Sequence, residues 1–353
     1  MVIAIKYGFV ANEEIVDTDG RILGQEAGPS LVRRLLRVFP GSMLVGRTMR
    51  HCDGFDMVPL DYLNPADALV INMDVIDSIA VWQTLHSRGD EPRLMNFVWT
   101  SPSTYHHPVN YAAIGMSAAL FPTFCNSERT ASWMRDVIRM WVVPQVASET
   151  RLNWVNLGVD TDRVQPRHEP EVPVVLYPAI YLDSRKNPQQ FVDVVERVAQ
   201  RTPLRAHIRL HQRDLTTDAA EQIATKTWAD VGPLTPTKAG YWAALAGTTA
   251  FLATAQEESY GLEYLEAMLA GAVGVFPDLP WARALLPQDY PFVYGDADQA
   301  EAMLTRALTE TAECRSELDA CVGGDFTAWI RGSHDDDDFA RALVSAVQGW
   351  FCN

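Results

Sequence analysis

The chain has 353 residues, 48% of them hydrophobic, and a formal net charge of −16. That length exceeds what one hydrophobic core usually organises, so two domains are expected. The acidic excess lies in the second half, with −3 over residues 1–168 and −13 over residues 169–353, which argues against general affinity for polyanions or anionic membranes.

Cys52, Cys125, Cys314, Cys321 and Cys352 are odd in number, and none stands in a CxxC or zinc-like spacing. Reduced thiols in a cytoplasm are therefore expected. The N-terminal MVIAIKYGF is too short an apolar run for a signal peptide, and no run of about 18 apolar residues occurs, so no transmembrane segment is expected.

In chain order, short runs rich in Val, Ile and Phe alternate with helix-like segments, the pattern of parallel sheets covered on both faces. Strands are expected at residues 2–5, 42–46, 68–72, 94–100 and 118–126. Helices are expected at 30–39, 77–88 and 127–138, the last capped by Ser127. A proline-rich connector, 160–173, carries Pro166, Pro170 and Pro173. The alternation then restarts with strands at 174–181, 205–210, 250–255 and 272–277 and helices at 187–201 and 237–247, a further helix following the 250–255 strand. The expected fold is α/β, with domains at 1–166 and 167–335 and a C-terminal helix, 336–353, packing back on the first domain.

Two Rossmann-like domains bind ligands at the carboxyl ends of their strands, expected here to face across a cleft. Neither GxGxxG nor GxxxxGK[ST] occurs, so neither a nicotinamide dehydrogenase nor a P-loop enzyme is supported. Another phosphate site is offered by Ser259-Tyr260-Gly261-Leu262, where a glycine turn opens a helix and leaves backbone N–H groups free. Glu258 precedes that turn, and Glu266 follows eight residues later on the helix. Glu257 and Glu263 read as leftover charges, expected to matter far less.

The run from Glu258 to Glu266, followed by AMLAG, resembles the E-x7-E signature of glycosyltransferase family 4 and related retaining enzymes. NLGVDTDRVQP, residues 156–166, resembles that family's segment entering its second domain. The resemblance, best over residues 118–287, implies a GT-B fold and a nucleotide-diphosphate sugar as donor substrate, with no separate cofactor and no metal. It implies that Glu266 binds the ribose hydroxyls and Glu258 the donor sugar. The backbone from Ser259 through Tyr260 and Gly261 to Leu262 would face the pyrophosphate. Lys186, one of only four lysines, matches the family lysine that neutralises the leaving group. The partner arginine position falls on Tyr181, a departure that Arg185 or another arginine would have to cover. Gly28 corresponds to a first-domain glycine turn, and His106 or His107 to a histidine near the transferred sugar, although adjacent histidines are as often surface residues.

The acceptor is expected on the first domain: a small molecule, a lipid-linked sugar or a polysaccharide. The cluster Arg33, Arg34, Arg37, Arg47 and Arg50 is either a solvated helix face or a surface for modified bases of DNA. A nucleotide-sugar-binding protein without turnover is the alternative of a different class. The acid run Asp335 to Asp338 reads as a helix N-terminus favoured by the dipole.

Overall fold

The structure, a computed structural model, describes residues 1–8, 15–24, 26–101, 105 and 107–352. It comprises two compact units, Met1–Asn156 with Asp337–Asn353, and Leu157–Asp336.

The first unit is built on one sheet of β1 (Val2–Lys6), β2 (Met43–Val45), β3 (Arg50–His51), β4 (Asp56–Val58), β5 (Ala68–Asn72), β6 (Arg93–Val98), β7 (Thr123–Cys125) and β8 (Leu152–Trp154). Their order is β3-β4-β2-β1-β5-β6-β7-β8, parallel throughout except for the antiparallel β3–β4 pair. Every residue of β5 is buried, as a strand covered by helices on both faces must be. Leu69, Val70 and Ile71 are fully buried, each stabilising the unit by roughly 1.5–3 kcal/mol. The C-terminal helix Asp336–Phe351 belongs to this unit, where Phe339 packs at 6.0 Å from Phe97 and 6.4 Å from Phe124.

The second unit carries β9 (Val174–Leu176), β10 (Arg205–Leu210), β11 (Ala229–Pro233), β12 (Ala250–Leu252), β13 (Val273–Pro277) and β14 (Val293–Tyr294). The order β11-β10-β9-β12-β13-β14 is all parallel. This is the doubly wound arrangement, with the direction of winding reversing between β9 and β12. Its core is aromatic: Phe251 meets Phe276 at 5.3 Å, and Tyr264 stacks on Trp281 at 5.2 Å.

Some elements differ from the sequence reading. Residues 118–126 are not one strand, because 118–120 finish the helix Pro108–Leu120, and only Thr123–Cys125 pair as β7. The 174–181 run pairs only as far as Leu176, after which the Tyr177 hydroxyl bonds the Tyr181 carbonyl in a loop. Ser127 caps its helix by accepting from the Thr130 amide, as its position suggested.

The second unit begins at Leu157, ahead of the boundary expected at 166, because the connector is packed rather than free. Arg167 donates to the carbonyls of Thr248 and Ala270 at 2.8 and 3.2 Å and pairs with Glu169. Val159 bridges Asp335, and its amide donates to the His334 carbonyl at 2.9 Å. Gly158 is required by this approach, since a Cβ there would stand 2.2 Å from the Asp335 carbonyl carbon and the Asp336 nitrogen. Gly158→Ala is expected to lower stability by about 2–3 kcal/mol, read as a lower urea midpoint at unchanged m.

Candidate functional site

Winding reverses between β9 and β12, and in doubly wound sheets ligands bind at the carboxyl ends of the strands flanking such a reversal. Two backbone-directed bonds tie the loops that follow these two strands: Thr254 Oγ1 donates to the Lys186 carbonyl at 2.8 Å, and the Gln256 amide to the Arg185 carbonyl at 2.8 Å. Lys186 is further fixed by Asn187, which adopts a left-handed conformation (φ 48°) just before the helix Pro188–Ala199. Asparagine tolerates that region better than most residues.

From these loops Lys186 and Glu258 reach one another, Nζ donating to Oε1 in an ion pair with side chains 20% and 12% exposed. The same Oε1 accepts from the Tyr264 hydroxyl at 2.8 Å. Glu258 is thus oriented by a cation and a buried phenol.

The next element is the helix Leu262–Leu269. Gly261 opens it with φ 106°, and no side chain caps it. A Cβ at Gly261 would lie 2.7 Å from the Tyr264 ring as well as being strained by that φ. The first-turn amides have no intrahelical acceptor, the arrangement that can receive an anion at a helix start. Along the helix, Glu266 accepts from the Tyr241 hydroxyl at 2.6 Å, and Lys238 Nζ lies 5.1 Å from the Tyr241 ring centre.

Glu263 is no leftover charge. It is half-buried, and its carboxyl is pushed up to about 8, chiefly by burial. Lys186 opposes that rise, Glu266 and Glu258 add to it, and Lys238 opposes it again. Near pH 7 this carboxyl is mostly neutral. Sequence spacing missed it because its state depends on neighbours from other elements.

The remaining sequence candidates divide between the units. Ser259 is half-buried beside the turn, and Tyr260 is buried with its hydroxyl 2.6 Å from His334 Nδ1. Burial pushes His334 down to about 4, so the ring of this pair is neutral. The Arg185 guanidinium turns onto Asp183, with Nε and Nη2 each 3.4 Å from a carboxylate oxygen. Gly28 lies buried in the first turn of the helix Ala27–Val38, where a Cβ would meet the Tyr7 hydroxyl at 2.2 Å. His107 is exposed before the helix Pro108–Leu120, and His106 lies outside the described residues.

The first sheet has its own reversal, between β1 and β5, and polar residues gather there that the sequence did not single out. Lys6 Nζ pairs with Asp77 at 2.5 Å. Asn72 donates to Asp77, the Asp74 carbonyl and Ser78. Asp74 is pushed up to about 6 by burial first and the Asp77 charge second. In the arginine cluster, Arg33 donates to the Ile22 carbonyl and Ser30, Arg34 lies 5.4 Å over the Phe339 ring, and Arg50 donates to the Thr18 carbonyl. These internal contacts account for three of its five members.

Two parallel-sheet Rossmann-like units define the class: the fold is GT-B. Among solved structures, the chain is similar to a sucrose-phosphate synthase from Thermosynechococcus elongatus (TM-score 0.71, 12% identity, 100% of each chain covered). It is similar also to a trehalose-6-phosphate synthase (TM-score 0.70, 11% identity, 99% of each chain covered). A third neighbour is TarM, with TM-score 0.59 and 13% identity over 80% of this chain and 55% of that one. No family model matches the chain, and no curated protein does.

Because folding raises the Glu263 carboxyl above its ordinary value, the folded chain holds that proton more tightly than the unfolded one. The stability linked to it is full below about pH 4.5 and is withdrawn as pH rises to about 8. Glu263→Gln is expected to remove this slope, so that its melting temperature gains on wild type steadily from pH 5 to 8.5. Parallel pH profiles of the two proteins would contradict the assignment.

Proposed function

We propose that the chain is a nucleotide-sugar-dependent glycosyltransferase moving a hexosyl or pentosyl group to an acceptor hydroxyl with retention. The observation that carries this is the Lys186–Glu258 pair beside the open helix terminus at Gly261, at the reversal point of the second sheet. The GT-B fold shared with two sugar-phosphate synthases supports it.

The roles follow from chemistry. A ribose diol offers two O–H donors, which suit the Glu266 carboxylate already oriented by Tyr241. Glu258, held by Lys186 and Tyr264, accepts from a hydroxyl of the donor sugar. The diphosphate lies against the amides of the Gly261 turn and the Lys186 ammonium. As the bond from the anomeric carbon breaks, its electron pair passes to the diphosphate oxygen, and these pre-set donors offset the growing charge. Protein groups then do the work that a metal ion does in other transferases. A neutral Glu263 spares the diphosphate a like-charge neighbour. The acceptor is assigned to the first unit, where the β1/β5 reversal carries Lys6, Asp74 and Asp77.

A second reading, a nucleotide-sugar-binding protein without turnover, is favoured by tyrosine at position 181, where the resemblance implies arginine. Titration with UDP-, GDP- and ADP-sugars, followed by assay of nucleoside diphosphate release, separates the two. One donor is expected to bind, with Glu266→Ala raising its Kd about 10- to 100-fold. Lys186→Ala is expected to lower kcat about 100- to 1,000-fold with a smaller change in Kd. A chain that binds no nucleotide sugar would end the proposal, and binding without release to any acceptor would favour the second reading.

A further inference from the structure

A departing nucleoside diphosphate gains negative charge, and one lysine is a sparse counterpart for it. Lys186 is already shared with Glu258, and Glu266 stands on the adjoining helix. Position 181 offers a phenol, and Arg185 has turned both Nε and Nη2 onto Asp183. A second cation has to come from elsewhere in the unit.

Arg213 meets the geometric requirements. It follows β10, the strand bonded to β9 on the side away from β12, and its guanidinium carbon lies 4.2 Å from the centre of the Tyr181 ring. Its Nε donates to Asp214 Oδ2 at 3.0 Å. Asp214 is buried, and its other oxygen accepts from the Leu182 amide at 2.9 Å. One carboxylate therefore fixes both the arginine and the residue next to its aromatic platform. The platform is held in turn, because the Tyr181 carbonyl accepts from Tyr177 at 2.9 Å and its ring lies 5.5 Å from that of His211.

With Nε occupied and one face on the ring, the two Nη groups of Arg213 donate to nothing among the described residues, and the side chain is 63% exposed. That leaves the outer edge of the fork, which presents two parallel N–H groups, open for a phosphate. The edge belongs to the same neighbourhood as Lys186. Burial raises the Tyr177 phenol, and the charges of Asp183, Glu263, Glu258 and Asp214 raise it further, so the carboxylates that hold the two cations both act on one hydroxyl.

We propose that Arg213, stacked on Tyr181 and anchored by Asp214, is the second cation of the donor site and grips the diphosphate through its two Nη groups opposite Lys186. This rests on the reading of the site as a nucleotide-sugar donor site. Tyr181 becomes a positioning residue: it carries the cation that its own side chain lacks.

The test is calorimetric titration of the full chain with UDP, GDP and ADP and with the three parent nucleosides. For the diphosphate that binds, Arg213→Gln is expected to weaken affinity about 10- to 100-fold while its nucleoside binds unchanged. Arg213→Lys is expected to restore only part, since an ammonium presents no parallel pair of donors. Tyr181→Ala is expected to weaken the diphosphate in the same direction by a smaller factor. If wild type binds no diphosphate, the donor-site reading falls and this inference with it. If wild type binds and Arg213→Gln binds equally well, or loses nucleoside and diphosphate alike, the role of Arg213 is overturned while the donor site stands. Should Arg213→Gln melt well below wild type, the Lys variant decides: full affinity in it, or equal loss of nucleoside, also overturns the role.

Discussion

The pairing of Lys186 with Glu258 is the constraint on which the second unit's site depends. Both side chains are largely withdrawn from water, where an ion pair survives only if its remaining valences are also met. Tyr264 meets one of them, and the Lys186 and Arg185 carbonyls lock the two loops that bring the charges together. Neither loop position could drift without leaving a charge partly buried and unpaired. The pair thus fixes the height of the Gly261 turn above the sheet, and with it where the open amides of the next helix stand.

Around that pair the unit uses phenols as spacers. Tyr264 holds Glu258, Tyr241 holds Glu266, Tyr260 reaches back to His334, and Tyr177 holds the backbone at Tyr181. A phenol suits this work because its ring packs in the core while its hydroxyl bonds a polar group at the rim. Tyr264 illustrates both halves, stacking on Trp281 and packing against Phe251 beneath while donating to a carboxylate above. Core packing and site orientation are therefore not separable here, since a change in the aromatic layer moves the acids.

Much of this was legible in the sequence, for identifiable reasons. The strands Ala68–Asn72 and Arg205–Leu210 were expected at their observed bounds: the first is a near-continuous apolar run, as in a strand covered on both faces, and the second alternates Arg205, His207 and Arg209 with the buried Ala206, Ile208 and Leu210. Ala229–Pro233 was not expected as a strand; it carries Gly232 and Pro233 and pairs only at the sheet edge, where such residues are tolerated. The helix Pro108–Leu120 escaped because its small apolar residues give no clear polar face, so its end merged with the strand after it. The Glu258 to Glu266 spacing was visible because both acids lie on one continuous stretch. Arg213 was not, because only strand order places the end of β10 beside the loop after β9.

That last point bears on how a sheet distributes function. In a doubly wound sheet the neighbours of β9 are β12 on one side and β10 on the other, so the loop after β9 is touched by residues far apart in the chain. On the β12 side it receives Glu258, which pairs Lys186; on the β10 side it receives Asp214, which bonds Leu182. A cation that the loop itself does not carry can therefore be supplied from either flank without changing the fold. The flank that supplies it must also offer an anchor, because an arginine fixed at one nitrogen and one ring face loses less side-chain freedom on binding than an untethered one. On the β10 flank Asp214 and Tyr181 provide both. A tyrosine at position 181 is then compatible with a charged ligand at the mouth of β9.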